Sequence, residues 1–447
     1  MLCYNVRFFD AARNRKNDLL NEYVKLNQMK AKISAILLLF LCLHNFASQI
    51  IIPMDKTQSN HLKAYGITYW WLEKGGNAEW LLNYKGGSFS FLYHKDIESE
   101  LVIRDISYKI LSDADYAGIK EALASPNVNA DVLELKKAPK IAVYSPKTKQ
   151  PWDDAVTMVL TYAEIPYDVI FDDEVLTQTL PKYDWLHLHH EDFTGQYGKF
   201  YRSFSRAPWY IEQKKMFEAS AAKHGFKKVS ELKLAIVKEI QAFCASGGFL
   251  FAMCSATDTY DIALSAEGID ICEHMFDGDG ADPHAQHKLD YSKTFAFKDF
   301  SLIQNPMEYE YSSIDNQYAD RGLNESNDYF TLFDFSAKWD PVPTILTQNH
   351  TRVVKGFMGQ TTAYKKKMIK KDVIILGQNA EIDEARYIHG TFGKGFWTFY
   401  GGHDPEDYQH YVGEQPTDLN LHPNSPGYRL ILNNILFPSA KKKKKKT

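Results

Sequence analysis

Gly247-Gly248-Phe249-Leu250-Phe251-Ala252-Met253-Cys254-Ser255-Ala256-Thr257-Asp258 reads as turn, buried strand, sharp corner and helix start. Phe249–Met253 is a short apolar run behind a glycine pair, the pattern of a central parallel strand covered on both faces. Cys254 follows at the strand end, with Ala252 and Ala256 two residues to either side. A strand-to-helix corner needs small residues there, because the two elements pass close to each other. Such a corner lifts a nucleophile above the sheet and aims the first N–H groups of the next helix at it, which favours a thiolate. A buried, inert cysteine at a strand end fits this stretch equally well, so the surroundings decide.

Working outward, an amphipathic helix over 232–243 leads into the corner strand. Strands are expected at 141–144, 167–171 and 183–189, with a helix from Trp152-Asp153-Asp154 to Ala163. Strand and helix alternate, which predicts an α/β fold with a doubly wound, flavodoxin-like, mainly parallel sheet. Functional residues of such sheets gather at the carboxyl ends of the strands. Residues 265–335 read as an insertion, polar and aromatic with few periodic runs. The core resumes at 344–347, 355–362 and 373–376, and 386–389 with 395–400 form a hairpin-like pair around Gly393-Lys394-Gly395. A helix over 428–436 closes the unit, which spans 138–438. Ahead of it, 49–137 reads as a small N-terminal α/β domain. Its strands are expected at 50–54, 78–84, 106–111 and 131–135, and its helices at 58–71 and 113–124.

Of the 447 residues, 45% are hydrophobic and 24% charged, ordinary for two or three globular domains. A net charge of −4 indicates no general nucleic-acid partner. Met29-Lys30-Ala31-Lys32, the apolar run 33–43 and the small residues Ala47 and Ser48 have the order of a secretory signal peptide over 29–48. The run is short for a membrane span, and the alternative is an uncleaved anchor. On this reading 1–28 is an upstream segment outside the native product, and the chain from Gln49 is periplasmic or extracellular. It keeps Cys244, Cys254 and Cys272, an odd set that makes no disulfide framework and raises the case for one reactive thiol. The tail 439–447, with lysines from Lys441 to Lys446, reads as a solvated end. Its functional alternative is electrostatic contact with an anionic cell envelope.

Tyr400-Gly401-Gly402-His403-Asp404-Pro405-Glu406 is the second informative stretch. A cysteine nucleophile needs a base within reach, and the base needs an orienting acceptor. His403 is the candidate base and Asp404 or Glu406 the acceptor; the alternative is a loop carrying a surface histidine. The backbone N–H of Ser255 is a candidate oxyanion donor. His187-Leu188-His189-His190-Glu191-Asp192 ends a strand, and His189, His190, Glu191 and Asp192, with Asp258 of the corner helix, are candidate cleft residues for substrate. A zinc site from His189, Glu191 and His403 fits no standard spacing, so polar cleft residues, with no metal and no cofactor, are the expectation. Asp277-Gly278-Asp279-Gly280-Ala281-Asp282 offers weak calcium ligation without the distal glutamate of an EF-hand.

A cysteine on a strand–corner–helix, followed much later by a strand, a histidine and x-Pro-Glu, resembles the class I glutamine amidotransferase-like superfamily. The string from Gly393 through Phe396-Trp397-Thr398-Phe399-Tyr400 to Asp404 is similar to its ThuA-like branch. The stretches 58–66, 81–89 and 189–197 further resemble an exported Bacteroidota family commonly labelled asparagine synthetase B. The resemblance implies an amidase-type Cys/His hydrolase with Cys254 as nucleophile, His403 as base and Glu406 or Asp404 behind it. The position of the family's glycine-rich oxyanion loop carries 189–195 here, which leaves Gly195 as its donor. The motif His403-Asp404-Pro405-Glu406 is one residue longer than the family's His-Pro-Glu. Ser246-Gly247-Gly248 runs into Phe249-Leu250-Phe251 without the Asp and Ser of an ATP pyrophosphate loop, so ATP-dependent asparagine synthesis is not expected. The alternative function is a non-catalytic module binding a saccharide or peptide in the same cleft.

Overall fold

The computed structural model describes residues 22–32, 49–146 and 152–440. The expected signal peptide lies outside them except for 29–32, which belong to an exposed helical stretch over 22–32; the lysine tail lies outside them entirely. Among the described residues no helix is long and apolar enough to cross a membrane.

Strands β1 (Gln49–Ile52), β2 (Ala78–Leu82), β3 (Ser88–Leu92), β4 (Lys109–Leu111) and β5 (Asp131–Leu135) form one sheet in the order β4-β1-β3-β2-β5. Every pairing in it is antiparallel. Side chains alternate between its faces, as a strand's two-residue period requires. Ile50, Ile52, Trp80, Leu82, Phe89 and Phe91 bury against the helix His61–Glu73. Ile51 and Leu81 face the helix Asp113–Ala124 through Tyr116 and Leu123. Asn60 caps the first helix by accepting from Lys63 N–H, and Ser112 caps the second through Asp115 N–H.

The larger sheet has ten strands. These are β6 (Ile141–Tyr144), β7 (Asp168–Ile170), β8 (Trp185–Leu188), β9 (Phe249–Met253), β10 (Tyr329–Leu332), β11 (Val353–Lys355), β12 (Tyr364–Lys365), β13 (Ile374–Asn379), β14 (Glu384–Phe392) and β15 (Gly395–Tyr400). Their order is β11-β10-β13-β14-β15-β9-β8-β6-β7, with β12 beside β14. Helices Ala155–Tyr162 and Pro426–Leu436 cover one face together with His61–Glu73. Helices Pro208–Lys223, Val229–Ser246 and Ala256–Ser265 cover the other.

This corrects the expected fold. The sheet is mixed, not mainly parallel and flavodoxin-like: four pairings, β7–β6–β8–β9–β15, are parallel. Five others, joining β10 to β15, are antiparallel. The smaller sheet adds only antiparallel pairs, so the chain is mixed α/β throughout. The reason lies in the connections. Parallel neighbours need a crossover of a dozen residues or so, and the helices between β6 and β9 provide it. Gly393-Lys394 leaves no such length between β14 and β15, and 380–383 leave none between β13 and β14.

His389 sits inside this sheet, 2% exposed, with Nδ1 3.2 Å from Thr398 Oγ1 and its ring stacked on Phe396. Burial pushes its pKa down to about 4. An unfolded histidine near pH 6.5 therefore binds a proton that the folded one refuses, and the stability it contributes falls as pH drops from about 6.5 towards 4. Asp315, pushed up to about 7 by burial, and Asp261, pushed up to about 6, act in the opposite direction. The effect is therefore read as a difference. The advantage of the wild type over His389→Gln is expected to shrink by about 2.5 kcal/mol between about pH 7 and about pH 4.5 in urea unfolding. A pH-independent difference would contradict it.

Candidate active site

Register sets the site. Leu188 pairs with Ala252 and Tyr400 with Met253. The carboxyl ends of β8, β9 and β15 thus finish together, and His189, Cys254 and the Gly401-Gly402-His403 turn leave the sheet at one edge. The corner ties these ends to each other. Cys254 N–H donates to Gly402 C=O at 3.1 Å, and Ala256 N–H donates to His189 C=O at 3.0 Å.

Cys254 holds φ at 51°, the left-handed region, although it carries a Cβ. That conformation is uncommon outside glycine and costs on the order of 1 kcal/mol. The thiol is fully buried. Its sulfur accepts from the Gln360 N–H at 3.3 Å. Burial pushes the pKa up to about 11, against the smaller opposing pull of the Thr361, Gln360 and Ser255 N–H groups. The thiolate expected from a helix N-terminus is thus outweighed by desolvation.

The segment 357–362 supplies that donor and was legible only as resumed core. It lies tight against the turn after β15: Gly402 N–H donates to Thr361 C=O at 2.9 Å and His403 N–H to Met358 C=O at 2.8 Å. A Cβ on Gly359 would meet His403 N at 2.8 Å, which is why glycine stands there. Gln360 Nε2 anchors the segment to the carbonyls of Gly198 and Tyr309.

His403 is 1% exposed and sits among imidazoles. Its ring centre lies 4.4 Å from His189, 6.0 Å from His190 and 4.1 Å from His410. Among the described residues neither of its ring nitrogens has a hydrogen-bond partner, Cys254 Sγ included, and the same holds for both nitrogens of His190 and for Nε2 of His189. Burial first, then the neighbouring histidines, holds the pKa of His403 and of His190 well below the usual value. Asp154 binds this cluster to the fold. Its Oδ1 caps the helix Ala155–Tyr162 through Val156 and Thr157 N–H and lies 3.2 Å from His189 Nδ1. Its Oδ2 lies 3.3 Å from His187 Nε2. Although burial opposes it, the two histidines hold the Asp154 carboxyl well below the usual range. In the sequence Asp154 reads only as a helix start, and His410 carries no signal.

The other sequence candidates are placed as follows. Asp404 is buried and accepts from Tyr428 OH at 2.8 Å, Thr417 OH at 2.7 Å and Glu406 N–H at 2.9 Å. Glu406 lies 3.2 Å from His422 Nδ1. Neither hydrogen-bonds His403. Asp258 is buried on the corner helix, accepts from Thr361 OH at 2.9 Å, and is pushed well above the usual carboxylate range by burial. Glu191 is buried and pushed up to about 8 by burial, against the pull of Lys233. Asp192 folds its own loop by accepting from Thr194 and Gly198 N–H. Gly195, at φ 84°, packs on the start of the helix Val229–Ser246, where a Cβ would meet Ser230 N at 2.8 Å. The structure thus brings Cys254, Ser255, His189, His190 and His403 to one edge, while Glu406 and Gly195 are engaged elsewhere. Asp277 and Asp279 of the calcium-like loop surround Lys228 Nζ together with Asp270. A cavity of about 540 Å³ lined by Phe226, Lys228 and Leu234 contains neither Cys254 nor these histidines.

No family model matches the chain, and no curated protein matches it. Among solved structures, a cytoplasmic protein from Salmonella typhimurium is similar at 11% identity, over 68% of this chain and 100% of its own, with a TM-score of 0.32. A second cytoplasmic protein from Salmonella typhimurium LT2 has 12% identity over the same shares and a TM-score of 0.31. A beta-galactosidase from Bacillus circulans sp. alkalophilus has 10% identity over 65% of this chain and 32% of its own, at 0.24. Likenesses at these scores assign neither fold nor activity to the chain.

Proposed function

We propose that the chain is a hydrolase of the amidase type, working at the strand edge where the Cys254 corner meets His189, His190 and His403. The observation that carries this reading is the corner itself: a non-glycine residue held at φ 51°, with a backbone N–H on its sulfur. Strain of this kind persists only where the surroundings over-determine it, and it clusters at reacting centres. A thiol at about 11 is almost wholly protonated at neutral pH, so it would act as a serine does, losing its proton in concert with attack. The acceptor at the same edge is His403 or His190, whose pKa burial holds well below the usual value. The sulfur adds to the substrate carbonyl carbon, and the oxyanion takes the Ser255 and Gln360 N–H groups. The C–N bond then breaks as the amine leaves with the proton. Water splits the thioester, releasing the acid and restoring the thiol.

The second reading, a binding module for a saccharide or peptide, is favoured by one fact: Cys254 Sγ and the His403 ring share no hydrogen bond. One experiment separates them. The purified full chain is assayed on a panel of aryl amides, acyl amino-acid amides and thioesters, alongside Cys254→Ala and Cys254→Ser. Turnover by the wild type and its loss in Cys254→Ala are expected. Equal turnover in both, or ligand binding without turnover, would replace the hydrolase reading.

A further inference from the structure

We propose that His189, His190 and His403 bind one divalent transition-metal ion of the zinc class. The site goes beyond the hydrolase reading and does not rest on it: a ring that gives its lone pair to the ion no longer takes the thiol proton, so the ion-bound form is distinct from the form in which these rings act as acceptors.

One ring nitrogen from each of these three residues lies within 4.8 Å of the other two. An ion bound to imidazoles at about 2.0–2.1 Å sets its ligand atoms about 3.4 Å apart in a tetrahedron, so small ring rotations close the site. Two of the three side chains, His189 and His403, are at most 2% exposed, yet among the described residues His403 and His190 leave both nitrogens unpartnered and His189 leaves Nε2. A buried polar atom with no partner costs on the order of 1–3 kcal/mol. Five such nitrogens converging from two strand ends are not explained by packing, since apolar rings would fill the same space without that cost. A cation accepts one lone pair from each of the three rings directly.

The surroundings have the layout of a metal centre. Asp154 Oδ1 is 3.2 Å from His189 Nδ1, an ion-pair distance that favours a proton on Nδ1 and a free lone pair on Nε2. A carboxylate behind a ligating histidine is the usual support for bound zinc. Trp152 meets the His190 ring edge-on, with centroids 5.0 Å apart, and holds its orientation. His410, 4.1 Å from the His403 ring, adds a buried Nδ1 with no hydrogen-bond partner among the described residues. The donors are all imidazole, which suits zinc, copper, nickel or iron and not calcium or magnesium. Cys254 is outside the ligand set, because its sulfur takes the Gln360 N–H. Three protein ligands leave a position open for water or substrate, the arrangement of catalytic rather than structural zinc.

The test uses the full chain, stripped with chelator and titrated calorimetrically with Zn²⁺, with Co²⁺ as a spectroscopic probe. One ion per chain with a Kd below about 1 µM is expected. His190→Gln and His403→Gln should weaken binding at least about a hundredfold, and Asp154→Asn about 10- to 100-fold. His224→Gln, a histidine paired with Asp173 away from the site, should leave it unchanged. Circular dichroism confirms that each variant is folded, and X-ray absorption of the wild-type Zn²⁺ form, which needs no variant, should show three imidazole ligands. Absence of saturable one-to-one binding, or unchanged affinity in folded His403→Gln, would overturn the site. Hydrolysis by stripped protein that binds no metal would sink this inference and leave the hydrolase reading standing. One-to-one binding with no turnover on any substrate would do the reverse.

Discussion

Iodoacetamide is expected to alkylate Cys254 about a hundredfold faster at about pH 9.5 than at about pH 7.5. With the thiol pushed up to about 11 by burial, the reactive thiolate grows tenfold per pH unit across that whole range. An unshifted cysteine, near pKa ~8.5, gains only about tenfold over the same interval because it saturates. Cys244, pushed up to about 12 by burial alone, and Cys272, held well above the usual value by burial and by Asp277, should lag behind it. Peptide mapping after limited alkylation reads the order directly. A tenfold pH response, or equal labelling of the three thiols, would contradict this account of the corner.

The second large effect concerns Arg429. Its side chain is fully buried and crosses from the helix Pro426–Leu436 to the smaller sheet's layer. It donates from Nη1 to Met54 C=O at 2.8 Å, from Nε to Tyr65 OH at 3.1 Å and from Nη2 to Gly86 C=O. Hydrogen bonds from a charged donor contribute about 1.5–3 kcal/mol each, and they are not additive. Arg429→Ala loses all three, leaves an unfilled space and strips Gly86 C=O of this donor. A loss of about 4 kcal/mol in urea unfolding is expected, within the range for breaking a buried network. Arg429→Met keeps most of the volume and should cost less. A loss below about 1 kcal/mol in Arg429→Ala would show that the two layers hold together without this bridge.

How much of this was legible in the sequence depended on which physical signal each part carries. Phe249–Met253 was legible in full, because an apolar run between a glycine pair and a corner has one reading. The β14–β15 hairpin was visible from Gly393-Lys394-Gly395. β10 and β11 were hidden, since Tyr329–Leu332 alternates exposed and buried residues over only four positions and Val353–Lys355 is shorter still. Without them the pattern announced only one of the five antiparallel pairings of the large sheet, that of β14 with β15. β3 was missed despite the alternation of Ser88-Phe89-Ser90-Phe91.

The site was legible as pieces and not as an assembly. The histidines at 187, 189 and 190 mark one strand end and His403 another, but their meeting depends on the register of β8, β9 and β15, which no local pattern contains. Asp154 was read as a helix start because its carboxylate caps one; the same carboxylate also reaches His187 and His189. Gln360 acts on the sulfur through its backbone N–H, a group that every non-proline residue has, so its side chain could not have announced the role.

The most direct test of the central claim is mass spectrometry of the protein quenched during turnover of an acyl amide or thioester. The account predicts an acyl adduct on the peptide carrying Cys254, absent in Cys254→Ala. Turnover with no adduct on that peptide, undiminished in Cys254→Ala, would contradict it.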